Sequence, residues 1–214
     1  MSTLLPTPKP PESIIISYLT MRKVIGFLGF LLVPVLIIGS LILDCPKEIK
    51  VSVSAYYYSH LRNVLVGTLC GISLFLLSYH GYTWKDSLAS KLAGLFALCI
   101  AFLSTSAIDD KGDIISILHY VTAGIFFIIL SYMSIFLFTK TSGNITPNKK
   151  KRNRVYRICG IIMIVSAALI PSDEIKFIHN HISFLKPTLI FETLALVAFG
   201  ISWLTKGEFL LKDK

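Results

Sequence analysis

Six long runs of apolar residues dominate this chain, and they restrict it to very few folds. The runs are Val24–Leu43, Asn63–Tyr82, Leu92–Ile108, Ile114–Thr139, Ile158–Ser172 and Pro187–Thr205, with few or no charges in any of them. A helix needs about 20 residues to cross roughly 30 Å of hydrocarbon, and most of these runs are that long. The fifth is short, and Val155 and Tyr156 extend it if Arg157 snorkels to the interface. Backbone polar groups find no water in lipid, so a spanning segment is a helix or a strand of a closed barrel. Continuous apolar runs without polar–apolar alternation select helices. With 54% hydrophobic residues and 15% charged ones, a soluble domain of 214 residues could not hide its apolar surface. The expectation is an all-α polytopic membrane bundle of six transmembrane helices, with the lipid bilayer as its main partner.

Charge placement orients the bundle. Lys9, Arg22, Lys23, Lys85 and Lys91 fall on one side. So do the basic residues from Lys140 to Arg157, and Lys206, Lys212 and Lys214. The opposite segments hold only Lys47, Lys50, Arg62, Lys111, Lys176 and Lys186. An excess of Lys and Arg marks the cytoplasmic side, so both termini are expected inside. The net charge of +9 is largely this asymmetry and not a nucleic-acid footprint. Residues 1–23, with Pro6, Pro8, Pro10 and Pro11, read as an extended, mobile cytoplasmic leader. Residues 24–205 form the membrane domain and 206–214 a cytoplasmic tail. The first run is too long for a signal-peptide core and reads as an uncleaved anchor.

The four cysteines are scattered and give neither a disulfide framework nor a metal pattern. The segment from Thr141 to Arg154 reads as a flexible inner loop. Its Lys149, Lys150, Lys151, Arg152 and Arg154 are a possible contact for anionic lipid, at about 1 kcal/mol per charge. Tyr56, Tyr57 and Tyr58 read as an anchoring belt at the outer membrane surface. Gly67 and Gly71 are expected to let a neighbouring helix approach closely.

Glu192 lies five residues past Pro187 in an uncharged run, and an ionisable group at that depth marks a functional site by default. Thr188, Glu192, Ala195, Phe199 and Ser202 recur at helical spacing, so Glu192 shares a stripe that should face the bundle. Arg62, Asn63 and His119 are expected at the same level near the outer face, with no comparable set in the inner halves of the spans. Three readings compete for these four residues. One is a structural lock, with Arg62 and Glu192 as a buried ion pair. Another is a binding or transport pocket in which Arg62 supplies fixed charge, His119 and Glu192 titrate, and Asn63 orients them. The third is a metal-dependent hydrolase for a lipid-like substrate, with zinc held by His60, Asp109, His119 and Glu192. No cofactor is expected under the first two.

Two resemblances bear on this. The stretches Tyr56-Tyr57-Tyr58, Arg62-Asn63-Val64-Leu65-Val66-Gly67, Tyr79-His80-Gly81-Tyr82, Phe136–Lys140, Arg152–Gly160 and Phe199–Gly207 resemble a family of uncharacterised bacterial six-span inner-membrane proteins. That resemblance covers nearly the whole chain, implies a bacterial inner membrane and carries no activity. The family often has an Asp where this chain has Asn63, which tells against proton transfer at that position. Ser59, His60 and Asp109 or Asp110 are similar in part to the Ser, His and Asp of the CREST transmembrane hydrolases, which include alkaline ceramidases. The seventh span and His-x-x-x-His pair of that superfamily have no counterpart here, so its zinc site does not carry over.

Overall fold

The computed structural model describes residues 12–81, 83–103, 114–141, 143–171 and 183–212. Among them are six α-helices and no strand: α1 Glu12–Leu43, α2 Arg62–Ser78, α3 Trp84–Phe102, α4 Ile114–Tyr132, α5 Pro147–Leu169 and α6 Pro187–Lys206. A π-turn, Met133–Leu137, continues α4, and a 3-10 turn, Ser54–Tyr58, precedes α2. Three stretches are long and apolar enough to cross a membrane: Tyr18–Leu43, Ile114–Leu137 and Ser183–Lys206. α2 is apolar but shorter. α3 and α5 carry charges in their first turns, from Lys85 and Asp86 and from Lys149 onward.

Each helix packs on the next in sequence, and α6 closes back on α1, so the six form a ring. Neighbours are antiparallel, as the bonds between them show. Ser73 Oγ donates to Gly94 O at 2.7 Å and Ser90 Oγ to Leu76 O at 2.7 Å, joining α2 to α3. Ser131 Oγ donates to Gly160 O at 2.6 Å and Ser134 Oγ to Tyr156 O at 2.7 Å, joining α4 and its π-turn to α5. Ser134 also meets Ser202 Oγ of α6 at 2.8 Å. Such bonds and close backbone contact join the helices of the ring; between helices packed in lipid each bond is worth about 0.6 kcal/mol.

The closest backbone approach joins α1 to α6. A Cβ at Gly200 would lie 2.8 Å from Gly26 O and from Phe30 N, and one at Gly26 would lie 2.8 Å from Leu204 N. Gly67, expected to serve this purpose, has nothing within 4 Å of its Cβ position, and Gly71 meets only the tip of Leu28 at 3.4 Å. The spacing of small residues on α2 is right, but that face meets no backbone. Aromatic rings fill the middle of the ring: Phe126 lies 6.4 Å from Phe199, Phe199 lies 6.2 Å from Trp203, and Trp203 lies 5.2 Å from both Tyr79 and Phe138.

Three local expectations change. α1 begins at Glu12, inside the expected leader, because Ile14–Ile16 and Tyr18–Met21 prolong the apolar pattern; the prolines before it lie outside the described residues. The basic segment is mostly helix rather than loop. Thr146 accepts from Lys149 N at 3.1 Å and Pro147 follows as the first helical residue, a strong start signal that places Lys149–Arg154 in the opening turns of α5. The three tyrosines do not form one belt: Tyr56 is fully buried, Tyr57 is half-buried and only Tyr58 is exposed.

Candidate functional site

The segment between α1 and α2 folds inward and laces onto the start of α6. Leu189 N, one of the N–H groups that the first turn of a helix leaves free, donates to Val51 O at 3.1 Å. Lys186 Nζ donates to Ile49 O. This docking carries Val53 and Ser54 to Glu192. Val53 N donates to Glu192 Oε2 at 2.5 Å, and Ser54 Oγ donates to Oε1 at 3.4 Å. The same Ser54 hydroxyl lies 2.9 Å from His119 Nε2, and His119 Nδ1 lies 2.6 Å from Leu103 O. Six segments thus meet at one point: the α1–α2 connection, the start of α6, α4, the end of α3 and, as walls, α1 and α2.

Donor and acceptor rules constrain the protons here. A carbonyl oxygen only accepts, so Nδ1 carries a hydrogen toward Leu103. In a neutral ring Nε2 is then an acceptor and takes the single hydrogen of Ser54; any hydrogen between Ser54 and Glu192 must come from a protonated carboxyl. In a charged ring Nε2 donates to Ser54, which is free to donate to a Glu192 carboxylate. The two arrangements differ by one proton moved between Glu192 and His119 through a hydroxyl. His119 is buried at 4% exposure, while Glu192 is half-buried and lines a cavity of about 60 Å3. Leu32, Leu65, Leu69, Ile100, Phe126 and Leu196 give that cavity apolar walls.

Of the four residues expected to cluster, the structure joins His119 and Glu192 and leaves Arg62 and Asn63 exposed. Arg62 turns to Tyr57, donating to its hydroxyl at 2.5 Å with its guanidinium 4.2 Å from the ring centroid. The expected Arg62–Glu192 ion pair does not form, because one turn of α2 points Arg62 outward while Val53 and Ser54 take both Glu192 oxygens. The stripe on α6 does face inward: Ala195, Phe199 and Ser202 are all buried. Ser54 and Val53 were not anticipated; the only trace of them was the alternation Val51-Ser52-Val53-Ser54 ahead of the tyrosines.

His60 belongs elsewhere. Its backbone N–H and Nδ1 meet Asp44 Oδ1 at 3.0 and 2.9 Å, with the ring largely exposed. Burial raises the Asp44 pKa, and these two contacts outweigh it, so the carboxyl sits below its ordinary value. Asp109, the fourth residue of the zinc set, lies outside the described residues. Among the described residues no three His, Cys, Asp or Glu side chains gather as metal ligands would.

The opposite end of the bundle holds a second set, contrary to the expectation of bare inner halves. Arg22, Lys140, Thr141, Lys149, Arg152, Tyr156, Lys206 and Glu208 surround a cavity of about 400 Å3. These residues are far apart in the sequence, and only the antiparallel ring brings the start of α1, the end of α4, the start of α5 and the end of α6 to one level.

Comparison of the chain with known protein families, with curated proteins and with solved structures finds no match.

Proposed function

We propose that this chain is a six-span protein of a bacterial inner membrane, with both termini in the cytoplasm. In this reading it binds a small solute in the outer cavity, with a proton moving between Glu192 and His119. The observation that carries this reading is the Ser54 hydroxyl, within hydrogen-bond distance of both His119 Nε2 and Glu192 Oε1 at the polar end of an otherwise apolar cavity. Apolar walls with a few convergent polar groups are the usual composition of small-molecule sites, and a space of about 60 Å3 limits the solute to a few heavy atoms. The orientation is supported by Arg22, Lys140, Lys149, Arg152 and Lys206 at the end opposite Glu192. The inner-membrane location rests on the family resemblance of the sequence.

Cysteine accessibility tests both parts. In intact cells an impermeant maleimide labels Cys45 from outside and does not label a Lys150→Cys variant of a protein lacking its native cysteines. In the same background Ala123→Cys, on the cavity wall, reacts with a small water-soluble thiosulfonate added outside. Labelling of Lys150→Cys from outside contradicts the topology; an inert Ala123→Cys contradicts the solute cavity.

The 2.9 Å contact between Ser54 and His119 favours a second reading, acyl transfer with Ser54 as nucleophile, His119 as base and Leu103 O fixing the tautomer. A fluorophosphonate probe that labels wild-type protein but not Ser54→Ala would establish that reading; an unlabelled wild type removes it.

A further inference from the structure

The cavity at Glu192 has an acidic wall residue and no basic one. Among the described residues that line it there is no Lys and no Arg. Glu192 accepts from Val53 N and Ser54 Oγ, both neutral groups, and among the described residues no basic side chain forms an ion pair with it. Arg62, whose depth suits it to the task, lies against Tyr57 instead, 4.2 Å from the ring centroid. An unpaired carboxylate against apolar walls is costly, and either a proton or a cationic solute relieves that cost. The two hydrogen bonds do not exhaust its capacity, because a carboxylate offers about four lone-pair sites.

The remaining wall selects the kind of cation. A hard metal ion takes about six or more oxygen ligands. Here the polar side chains beside Glu192 are Ser54, Tyr57 and His119, and all the others are apolar. An alkylammonium ion fits such a wall better. Its N–H groups meet the spare lone pairs of Glu192, and its short hydrocarbon meets the apolar side chains. Tyr57, Phe126 and Phe127 add aromatic rings, whose faces attract cations of this kind. About 60 Å3 admits a few heavy atoms, enough for methylammonium or ethylammonium. We infer, on the reading of this cavity as a solute site, that it binds a small primary alkylammonium cation with the charged end on Glu192. A bound cation repels an imidazolium, so His119 is neutral when the site is filled. Ser54 then gives its hydrogen to His119 Nε2, which leaves Glu192 Oε1 open to the ammonium.

The test is protection of Ala123→Cys from the thiosulfonate, in the full chain lacking its native cysteines and purified in detergent. Ethylammonium chloride is the probe, with sodium chloride and sodium acetate at equal ionic strength as controls. Ethylammonium should slow labelling at least fivefold at saturation, and neither control should slow it as much as twofold. Adding Glu192→Gln should raise the ethylammonium concentration for half-maximal protection at least tenfold. Labelling that acetate slows as much as ethylammonium, or that no salt slows, overturns the alkylammonium assignment and leaves the solute cavity standing. An Ala123→Cys inert to the reagent overturns both. If Glu192→Gln does not fold, the melting temperature of the unaltered chain decides: ethylammonium raises it above the value in sodium chloride, and equal values overturn the assignment.

Discussion

Ser54→Ala is the most informative single perturbation of the Ser54–His119–Glu192 site. It removes one hydroxyl that meets His119 Nε2 at 2.9 Å and Glu192 Oε1 at 3.4 Å. Loss of an ordinary hydrogen bond costs about 1 kcal/mol, and leaving a buried imidazole nitrogen without a partner raises this to about 1–3 kcal/mol. The adjoining cavity, about 60 Å3, has room for a water to replace the hydroxyl. That relief puts the expected loss at the lower end, about 1–2 kcal/mol. Replacing His119 by Leu in the same protein removes the nitrogen that needed the partner, so Ser54→Ala then costs about 1 kcal/mol less. The assay is a double-mutant cycle on reversible unfolding in mixed micelles titrated with dodecyl sulfate. A coupling near 1 kcal/mol stands clear of the scatter for independent sites, about 0.3–0.5 kcal/mol. Additivity within that scatter refutes the reasoning, because it means that Ser54 and His119 do not depend on each other.

Gly200→Leu should cost about 1–3 kcal/mol or prevent accumulation of folded protein, since its side chain would run into Gly26 O and Phe30 N. Gly67→Ala, inside α2 with open space around it, should not destabilise in the same unfolding assay and should gain up to about 1 kcal/mol. Asp44 has a folded pKa below its unfolded value, so its contribution to stability is complete above the ordinary carboxylate pKa of about 3.9. That contribution is lost as pH falls through the lower folded value, and Asp44→Asn should flatten the melting temperature across this acidic range. Arg62→Gln and Asn63→Ala, both at exposed positions, should change stability by no more than about 0.5 kcal/mol.

The helical class was readable from the runs themselves, because uninterrupted apolar segments have only one way to satisfy their backbones away from water. Helix ends were less so. Thr146-Pro147 carried a complete start signal for α5, but the lysines after it outweighed that signal in a reading based on hydropathy. Glu192 and His119 were found because an ionisable residue stands out in an apolar run. Their meeting point was not, because it depends on how the α1–α2 connection folds back, and Ser54 carries no mark that separates it from Ser52 or Ser59. Arg62 was misplaced for a related reason: its depth was legible, but the direction in which it leaves α2 is fixed by packing. The cavity at the opposite end of the bundle could not be read at all. Each of its basic residues looked like a topology signal, and only closure of α6 onto α1 turns Arg22 and Lys206 into neighbours.

The central claim is that Glu192 and His119 answer to one another through Ser54, and nitrogen NMR of the His119 ring tests it most directly. The account predicts a protonated Nδ1, with an Nε2 resonance that moves on Ser54→Ala and on Glu192→Gln but stays in place on Arg62→Gln. An Nε2 resonance indifferent to Glu192→Gln, or displaced equally by Arg62→Gln, would contradict it.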